Sequence, residues 1–303
     1  MSAGKVDFDC PVCGSSRVTQ LYGDTLGDAL PEFGYNFGPR HGAHYRIVRC
    51  IDCTHVYCTP RHPDMFRNYI DVEDLAYLKN QDQRIATALR VISRITRHKD
   101  SGRLLDIGCS TGDFLDVAKR SFSVEGLELS GWAADAAQRR GLQIHRKQLT
   151  EFEPDAPYDV ITLWGVIEHF EFPRKELAEM DRLLKPGGIV CLWTGDFDSV
   201  FSKLLGERWW YVQGQHIQYF TRRSIEHLFR SRDYELIDNS RYPYVMSFQA
   251  TRKSLARYPA IGWMFGALVS LLGIANRNLT FRLPGEMFLI FRKRALHGSC
   301  EAE

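Results

Sequence analysis

The sequence has no run of about 20 apolar residues such as a bilayer-spanning helix requires. The nearest approach is IGWMFGALVSLLGIA, residues 261–275. It also lacks an excess of charge of either sign. Thirty-nine Lys and Arg face 37 Asp and Glu, a net charge of +2, which argues against a nucleic-acid surface built on electrostatics alone. The opening MSAGKVDFDC has no apolar core, so we expect no signal peptide and a cytoplasmic setting. A disulfide framework is then disfavoured. No G-x-x-x-x-G-K-[ST] occurs, which excludes a phosphate loop of that type. What remains is 303 residues, 44% hydrophobic and 25% charged, the composition of one large globular domain with additions or of two domains.

Eight cysteines are present, four of them in two pairs of equal spacing: CPVCG (Cys10, Cys13) and CIDC (Cys50, Cys53). Two residues between cysteines let both thiolates turn onto one ion. Two such knuckles complete a tetrahedral S4 shell, which suits structural zinc and leaves no open position for catalysis. His41, His44, His55 and Cys58 are available as substitutes but are not needed. A metal-free set of buried thiols is the bland alternative. A redox pair is disfavoured, because no βαβ pattern surrounds either C-x-x-C. Tyr35, Phe37, Arg40, Tyr45 and Arg46 lie between the pairs and could touch RNA or a partner, but such scattered aromatics more often pack a small domain.

We place a domain boundary in the proline-opened stretch 60–80. Residues 1–60 then form a zinc-ribbon domain and 61–98 a linker with a helical cover. In the cover, Ile85, Ala88, Leu89, Ile92 and Ile95 share one helical face. From 99 to 303 strand and helix signals alternate: RLLDI, VEGLEL, LQIH, YDVITLW and IVCLW, with helical segments between them. That alternation predicts crossovers and an α/β fold with a mostly parallel sheet. Ligands of such sheets sit beyond the carboxyl ends of the strands. Polar or small residues follow all five.

The first of these ends is DIGCSTGDF. Its spacing, Gly108, Ser110, Gly112, is not the G-x-G-x-x-G of a dinucleotide loop. Asp106 beside the turn would repel a pyrophosphate and favour a cation. Glu128 closes the second strand about twenty residues on, where a ribose diol is bound in such folds. A ligand with a ribose, a base, a positive charge and no phosphate fits S-adenosylmethionine. The stretches LLDIGCSTGDF, VEGLELS, YDVITLWGVIEHF and LLKPGGIV resemble, in order and spacing, the motifs of class I S-adenosylmethionine-dependent methyltransferases over about residues 80–240.

The resemblance implies a Rossmann-like sheet, mostly parallel with an antiparallel last strand (EMFLIFRKR). It also implies cofactor contacts from Asp106, Gly108, Cys109, Ser110, Gly112 and Phe114 in the first loop. Glu128 and Leu129 fall at the ribose, Gln148 and Leu149 near the adenine, and Leu163 and Trp164 along the cofactor. Two positions depart from the family pattern: Ser110 replaces the central glycine, and Gly165 replaces an acid before V-x-E-H. The ribbon and the segment GERWWYVQGQHIQYFTRRSIEHLF are similar to zinc-ribbon methyltransferases of bacterial surface-glycan and secondary-metabolite pathways. Sugar C-methyltransferases with a similar ribbon carry an extra C-terminal domain with no counterpart in this sequence, so we expect O-methylation of a sugar or a lipid- or carrier-linked small molecule.

A hydroxyl acceptor must lose a proton, which makes His216, His169 and Glu168 the catalytic candidates, with Tyr219 and Asp196 behind them. An RNA methyltransferase using the ribbon for RNA and a non-catalytic cofactor-binding scaffold remain as rival readings. The apolar insertion at about 252–280 is flanked by Arg252, Lys253, Arg257 and Arg277. Its core, 255–275, reads either as a lid or dimer helix or as a peripheral contact with the cytoplasmic face of a membrane.

Overall fold

A computed structural model describes residues 4–35, 42–63, 65–248, 251, 255, 258–273, 278–282 and 285–295. Phe37, Arg40, His41, Arg252, Lys253, Arg257 and Arg277 lie outside them.

The chain opens with a three-stranded antiparallel meander, β1 (Val18–Tyr22), β2 (Ile47–Cys50) and β3 (Val56–Cys58), in which Val18 faces Cys50 and Ile47 faces Cys58. A 3-10 turn at Met65–Asp71 leads to the single turn α1 (Leu75–Leu78). The Asp74 carboxylate caps α1 by accepting the Tyr77 amide at 3.0 Å. Helix α2 (Gln81–Ile95) follows and buries Thr87, Ala88, Val91, Ile92 and Ile95. Its inward stripe is turned slightly from the expected one. Leu89 is 43% exposed and Val91 takes its place.

The α/β block then runs through β4 (Arg103–Ile107), α3 (Asp113–Ala118), β5 (Ser123–Leu127), α4 (Gly131–Gln138), β6 (Gln143–His145), β7 (Tyr158–Trp164), α5 (Pro173–Leu183) and β8 (Leu184–Gly195). After it come α6 (Val200–Leu205), the two-residue strand β9 (Gln218–Tyr219), α7 (Arg222–Arg230), β10 (Tyr234–Ser240) and β11 (Tyr244–Ser247). The chain ends with α8 (Pro259–Leu271), β12 (Asn278–Phe281) and β13 (Glu286–Lys293).

Seven strands form the central sheet in the order β10-β13-β8-β7-β4-β5-β6. The pairs from β6 to β8 are parallel, and β13 runs antiparallel between β8 and β10. This is the Rossmann-like sheet with an inverted last strand. Alternate residues of each strand enter opposite cores. Leu104, Val160 and Ile189 join Ala88, Leu115 and Ala134 of α2, α3 and α4 on one face. Leu105, Ile161 and Val190 join Leu177 of α5 and Leu228 of α7 on the other. Because both faces are covered, the strands read as nearly unbroken apolar runs. The central β7, YDVITLW, is buried along six of its seven residues.

The N-terminal meander, expected as a domain by itself, takes its fourth strand from β9, which pairs with β3. Its apolar residues merge with the block: Cys10, Val12 and Val48 share a core with Phe220 and Ile225, and Tyr45 and Ile47 share one with Trp209 and Ile217. The buried His55 ring spans the junction, with Nε2 at 2.9 Å from Gln218 Oε1.

Candidate active site

At the carboxyl ends of β4 and β5 the backbone sets the geometry. Gly108 and Gly112 have φ of +69° and +77°, a region that strains any side chain. A Cβ on Gly108 would lie 2.7 Å from Val166 Cγ2. One on Gly112 would strike Leu142 and come within 3.0 Å of Ala137 Cβ, so Gly112 serves the packing of α3 on α4. Ser110 also takes a left-handed φ, +49°, a conformation that a glycine holds freely. Glu128 closes the loop: Oε2 accepts the Ser110 N–H and Oε1 the Ser130 N–H, both at 2.8 Å. Burial pushes its pKa up, and these backbone donors oppose the shift. Asp106, wholly buried, accepts a 2.6 Å bond from the Thr162 hydroxyl. Burial pushes its carboxyl up to about 8.

The other residues expected at the cofactor divide into two groups. Leu129 is half-buried and Gln148 is exposed ahead of a short 3-10 turn. By contrast, Cys109, Phe114 and Leu149 have side chains in the apolar cores, which leaves Cys109 and Leu149 only backbone to offer a ligand. Gly126 has no room for a Cβ, because Cys109 Sγ would be 2.5 Å away. Trp164 is half-buried between Phe114 and Phe288, at ring separations of 4.9 and 6.1 Å.

The sequence reading missed the tyrosines above Glu128. Tyr69 Oη donates to Tyr35 Oη at 3.0 Å, and Tyr35 packs on Tyr77 and Trp132 at 4.9 and 6.0 Å. Burial, then the Glu128 charge, raises both the Tyr35 and Tyr69 phenols. Arg84 and Gln81 of α2 fasten this cover by bonding the Asp113 carboxylate at 2.7 and 2.8 Å. The only signal in the sequence was the tyrosine-bearing acidic stretch before α2, which reads equally well as a linker.

At the ends of β7 and β8 side chains set the geometry instead. Ligand atoms of Glu168, His169 and His216 lie within 4.8 Å of one another. Glu168 Oε2 accepts the Thr194 hydroxyl at 3.1 Å, and Thr194 Oγ1 is 2.7 Å from Tyr211 Oη. Burial pushes Glu168 up to about 7. His169 donates Nδ1–H to Gln215 O at 2.8 Å, and burial lowers it to about 4. His216, expected on a loop over the cleft, is only 2% exposed. It donates Nδ1–H to Tyr211 O at 2.8 Å, and its Nε2 accepts the Gln213 amide at 2.9 Å. Burial, then His169, holds it well below its ordinary pKa. Its lone pair is therefore engaged with Gln213 rather than presented to an incoming hydroxyl. The lesser candidates are also occupied: Tyr219 Oη donates to Gln213 O, and Asp196 Oδ1 caps the Asp198 amide, both at 3.1 Å.

The missing acid at 165 has a steric cause. A Cβ there would lie 2.7 Å from Trp193 Cζ3. Two other carboxylates stand close by. Glu168 Oε1 is 3.4 Å from that same point. Glu286, pushed by burial up to about 7, accepts the indole N–H of Trp193 at 2.9 Å and of Trp210 at 3.4 Å. Tyr242 and Tyr244 pack on Trp193 at 5.0 and 5.4 Å.

In the N-terminal region the four paired cysteines meet. All four Sγ atoms lie within 4.8 Å of one another, with Cys10 and Cys53 at 3.4 Å and Cys13 and Cys50 at 3.5 Å. Each knuckle closes alike: Gly14 N–H bonds Cys10 O at 2.8 Å and Thr54 N–H bonds Cys50 O at 3.1 Å. The hydrogen bond from Cys53 pulls the Cys10 thiol down to about 4. His44 bonds its neighbour's carbonyl, His55 bonds Gln218, and Cys58 Sγ is 3.7 Å from His216 O. These three possible substitutes thus make their contacts outside the cluster.

A family described as "Methyltransferase domain" matches residues 77–239, more than half of the chain. Ubiquinone biosynthesis O-methyltransferase of Maricaulis maris is 31% identical over 129 residues, which cover 38% of this chain and 50% of that protein. Malonyl-[acyl-carrier protein] O-methyltransferase of Serratia marcescens is 29% identical over 163 residues, 50% of this chain and 63% of that one. The match thus spans between half and two thirds of the length of these curated relatives. Among solved structures, the complex of the Haloferax volcanii Trm112 methyltransferase activator with its methyltransferase shares the fold. The TM-score is 0.54 at 15% identity, covering 73% of this chain and 95% of the other.

Proposed function

This chain belongs to the methyltransferase-domain family, and we propose that it is an S-adenosylmethionine-dependent methyltransferase that methylates a hydroxyl oxygen of a sugar or of a lipid- or carrier-linked small molecule. Both curated relatives described above are O-methyltransferases, which supports oxygen as the receiving atom. The observation that carries the proposal is Glu168. It is a buried carboxylate with a pKa near 7, held by Thr194 and Tyr211, beside the Val166 that packs on Gly108 of the first loop. A base with that pKa is matched to deprotonating a hydroxyl near neutrality.

The residues at the β4 and β5 ends fit the cofactor. Glu128, its oxygens oriented by two backbone amides, would take the ribose hydroxyls, and buried Asp106 would face the positive methionine end. Gln148 and Leu129 would border the adenosine. When bound, the cofactor supplies a methyl group made electrophilic by its sulfonium. Glu168 receives the acceptor's hydroxyl proton, while His169 and His216 hold the 213–217 loop and position Glu168 rather than accept that proton. Trp193, Tyr242 and Tyr244 offer flat apolar walls and Glu286 a hydrogen-bond acceptor, a combination suited to a polyhydroxylated ring.

The four clustered thiols fit zinc by number, type and convergence. Cys10, Cys13, Cys50 and Cys53 would hold it as a closed structural ion that carries no chemistry.

The test is Glu168→Gln in a methyl-transfer assay over hydroxylated acceptors, with cofactor affinity measured by calorimetry. Turnover should fall about 100-fold with cofactor affinity unchanged. Near-normal turnover would remove Glu168 as the base.

A further inference from the structure

The apolar insertion forms α8, and its faces are unequal. Gly262, Gly266 and Val269 are buried, and a Cβ on Gly262 would lie 2.9 Å from Leu255 O. Gly262 thus lets the helix start sit close on Leu255. Phe265, on the same side, stacks on Phe248, and the opposite side is bare: Trp263, Met264, Leu268 and Leu271 are 76%, 65%, 53% and 83% exposed. The helix start is fastened to the turn after α6, where Tyr258 Oη donates to Arg208 O at 2.8 Å. α6 itself exposes Val200 and Leu204 at 68% and 76%. An apolar face of this extent costs a globular protein solubility unless something covers it.

The surrounding sequence indicates what does. From residue 239 to 285 there is no Asp or Glu, while six Arg or Lys are present. Arg241 and Arg282 are exposed. A second copy of the chain would bring the same cations against these and be repelled. An anionic lipid surface complements both the charge and the apolar face. At 13 residues the helix is about 20 Å long, too short to span a bilayer but long enough to lie in its interface. Among the described residues no helix can cross a membrane.

We propose that α8 lies in the plane of an anionic membrane surface, with Trp263, Met264, Leu268 and Leu271 in the headgroup–acyl boundary. The attachment at Arg208 then holds the α6 end of the protein, with exposed Val200 and Leu204, at the same surface. In that position the enzyme reaches an acceptor hydroxyl carried on a lipid, an assignment that rests on the acceptor reading above. Membrane binding itself does not.

The full chain is sedimented with sucrose-loaded vesicles of phosphatidylcholine alone or with phosphatidylglycerol, without acceptor. It should pellet with the anionic vesicles, less so at high salt, and stay in solution with the neutral ones. The Leu268→Glu/Leu271→Glu variant should lose vesicle binding at least about tenfold, with its melting temperature and S-adenosylmethionine affinity unchanged. Trp263→Ser alone should give a smaller loss in the same direction, a check that survives if the double variant misfolds. Equal pelleting with and without vesicles, binding indifferent to lipid charge, or a solution dimer that the double variant turns into a monomer would each overturn the proposal. Because no methyl transfer is measured, failure here is distinct from failure of the hydroxyl-acceptor reading.

Discussion

At the β4–β5 end of the sheet Glu128 is held by two backbone amides, whereas at the β7–β8 end Glu168 is held by the side chains of Thr194 and Tyr211. The difference sets how each end responds to change. A site made from backbone depends on φ and on the space around glycines, and tolerates few shapes. A site made from side chains depends on groups far apart in sequence, and can be altered while the sheet stays intact. Substitutions at the first end should therefore affect folding and cofactor binding together. Those at the second should leave both and alter turnover.

The largest effect should come from Gly112→Val. It combines a φ of +77° with the Leu142 and Ala137 contacts, and we expect a loss of about 3 kcal/mol or more of stability. Thermal melts should show it, with cofactor binding lost in parallel. A variant that melts normally yet binds no cofactor would show that Gly112 serves the ligand alone. Next comes Glu128→Gln, which sets an amide N–H against a backbone N–H. Calorimetry should show cofactor affinity lowered by about 1–3 kcal/mol, with a smaller change in melting temperature.

The third prediction concerns pH. Asp106 and Glu168 have folded-state pKa values raised to about 8 and about 7. At these two groups the folded protein keeps protons that the unfolded chain has released, so their contribution to stability falls as pH rises from about 4 to about 8, while buried His169 and His216 contribute in the opposite direction up to about 6.5. Asp106→Asn should flatten that decline without cofactor. Cationic S-adenosylmethionine should stabilise the wild type more at pH 8 than at pH 6. Melts whose pH dependence is the same in Asp106→Asn as in the wild type would refute it. The smallest effect should be Ser110→Gly, which relieves a φ of +49° and should change stability by no more than about 1 kcal/mol, with cofactor binding kept.

The same contrast accounts for what could be read in the sequence. Asp106, Gly108, Gly112 and Glu128 sit within about two dozen residues, and their roles follow from local rules for a strand, a turn and a helix. The five core strands were legible because burial on both faces makes them uniformly apolar. The β7–β8 end draws on Gly165 with Glu168, Trp193 with Thr194, Tyr211 and Glu286, four stretches that no local spacing links to one another. His216 drew attention as a titratable group in a loop, but nothing in GQHIQYF reveals that Gln213 and Tyr211 would occupy its ring. The meander before residue 60 looked self-contained because its partner strand, β9, has only two residues and begins 160 positions after β3 ends. The tyrosine cover was hidden for a similar reason: Tyr35, Tyr69 and Tyr77 come from three unconnected segments.

Gly165 and Trp193 occupy one volume, since a side chain at the first would overlap the indole of the second. In evolutionary terms they are a single two-letter choice. Homologues with an acid at the position of Gly165 should carry a smaller residue opposite it, and those with the tryptophan should carry glycine. An alignment of homologues would then sort by this pair, and an acid grafted into this chain at 165 needs Trp193 cut back in the same step and a backbone relaxed from its φ of +70°.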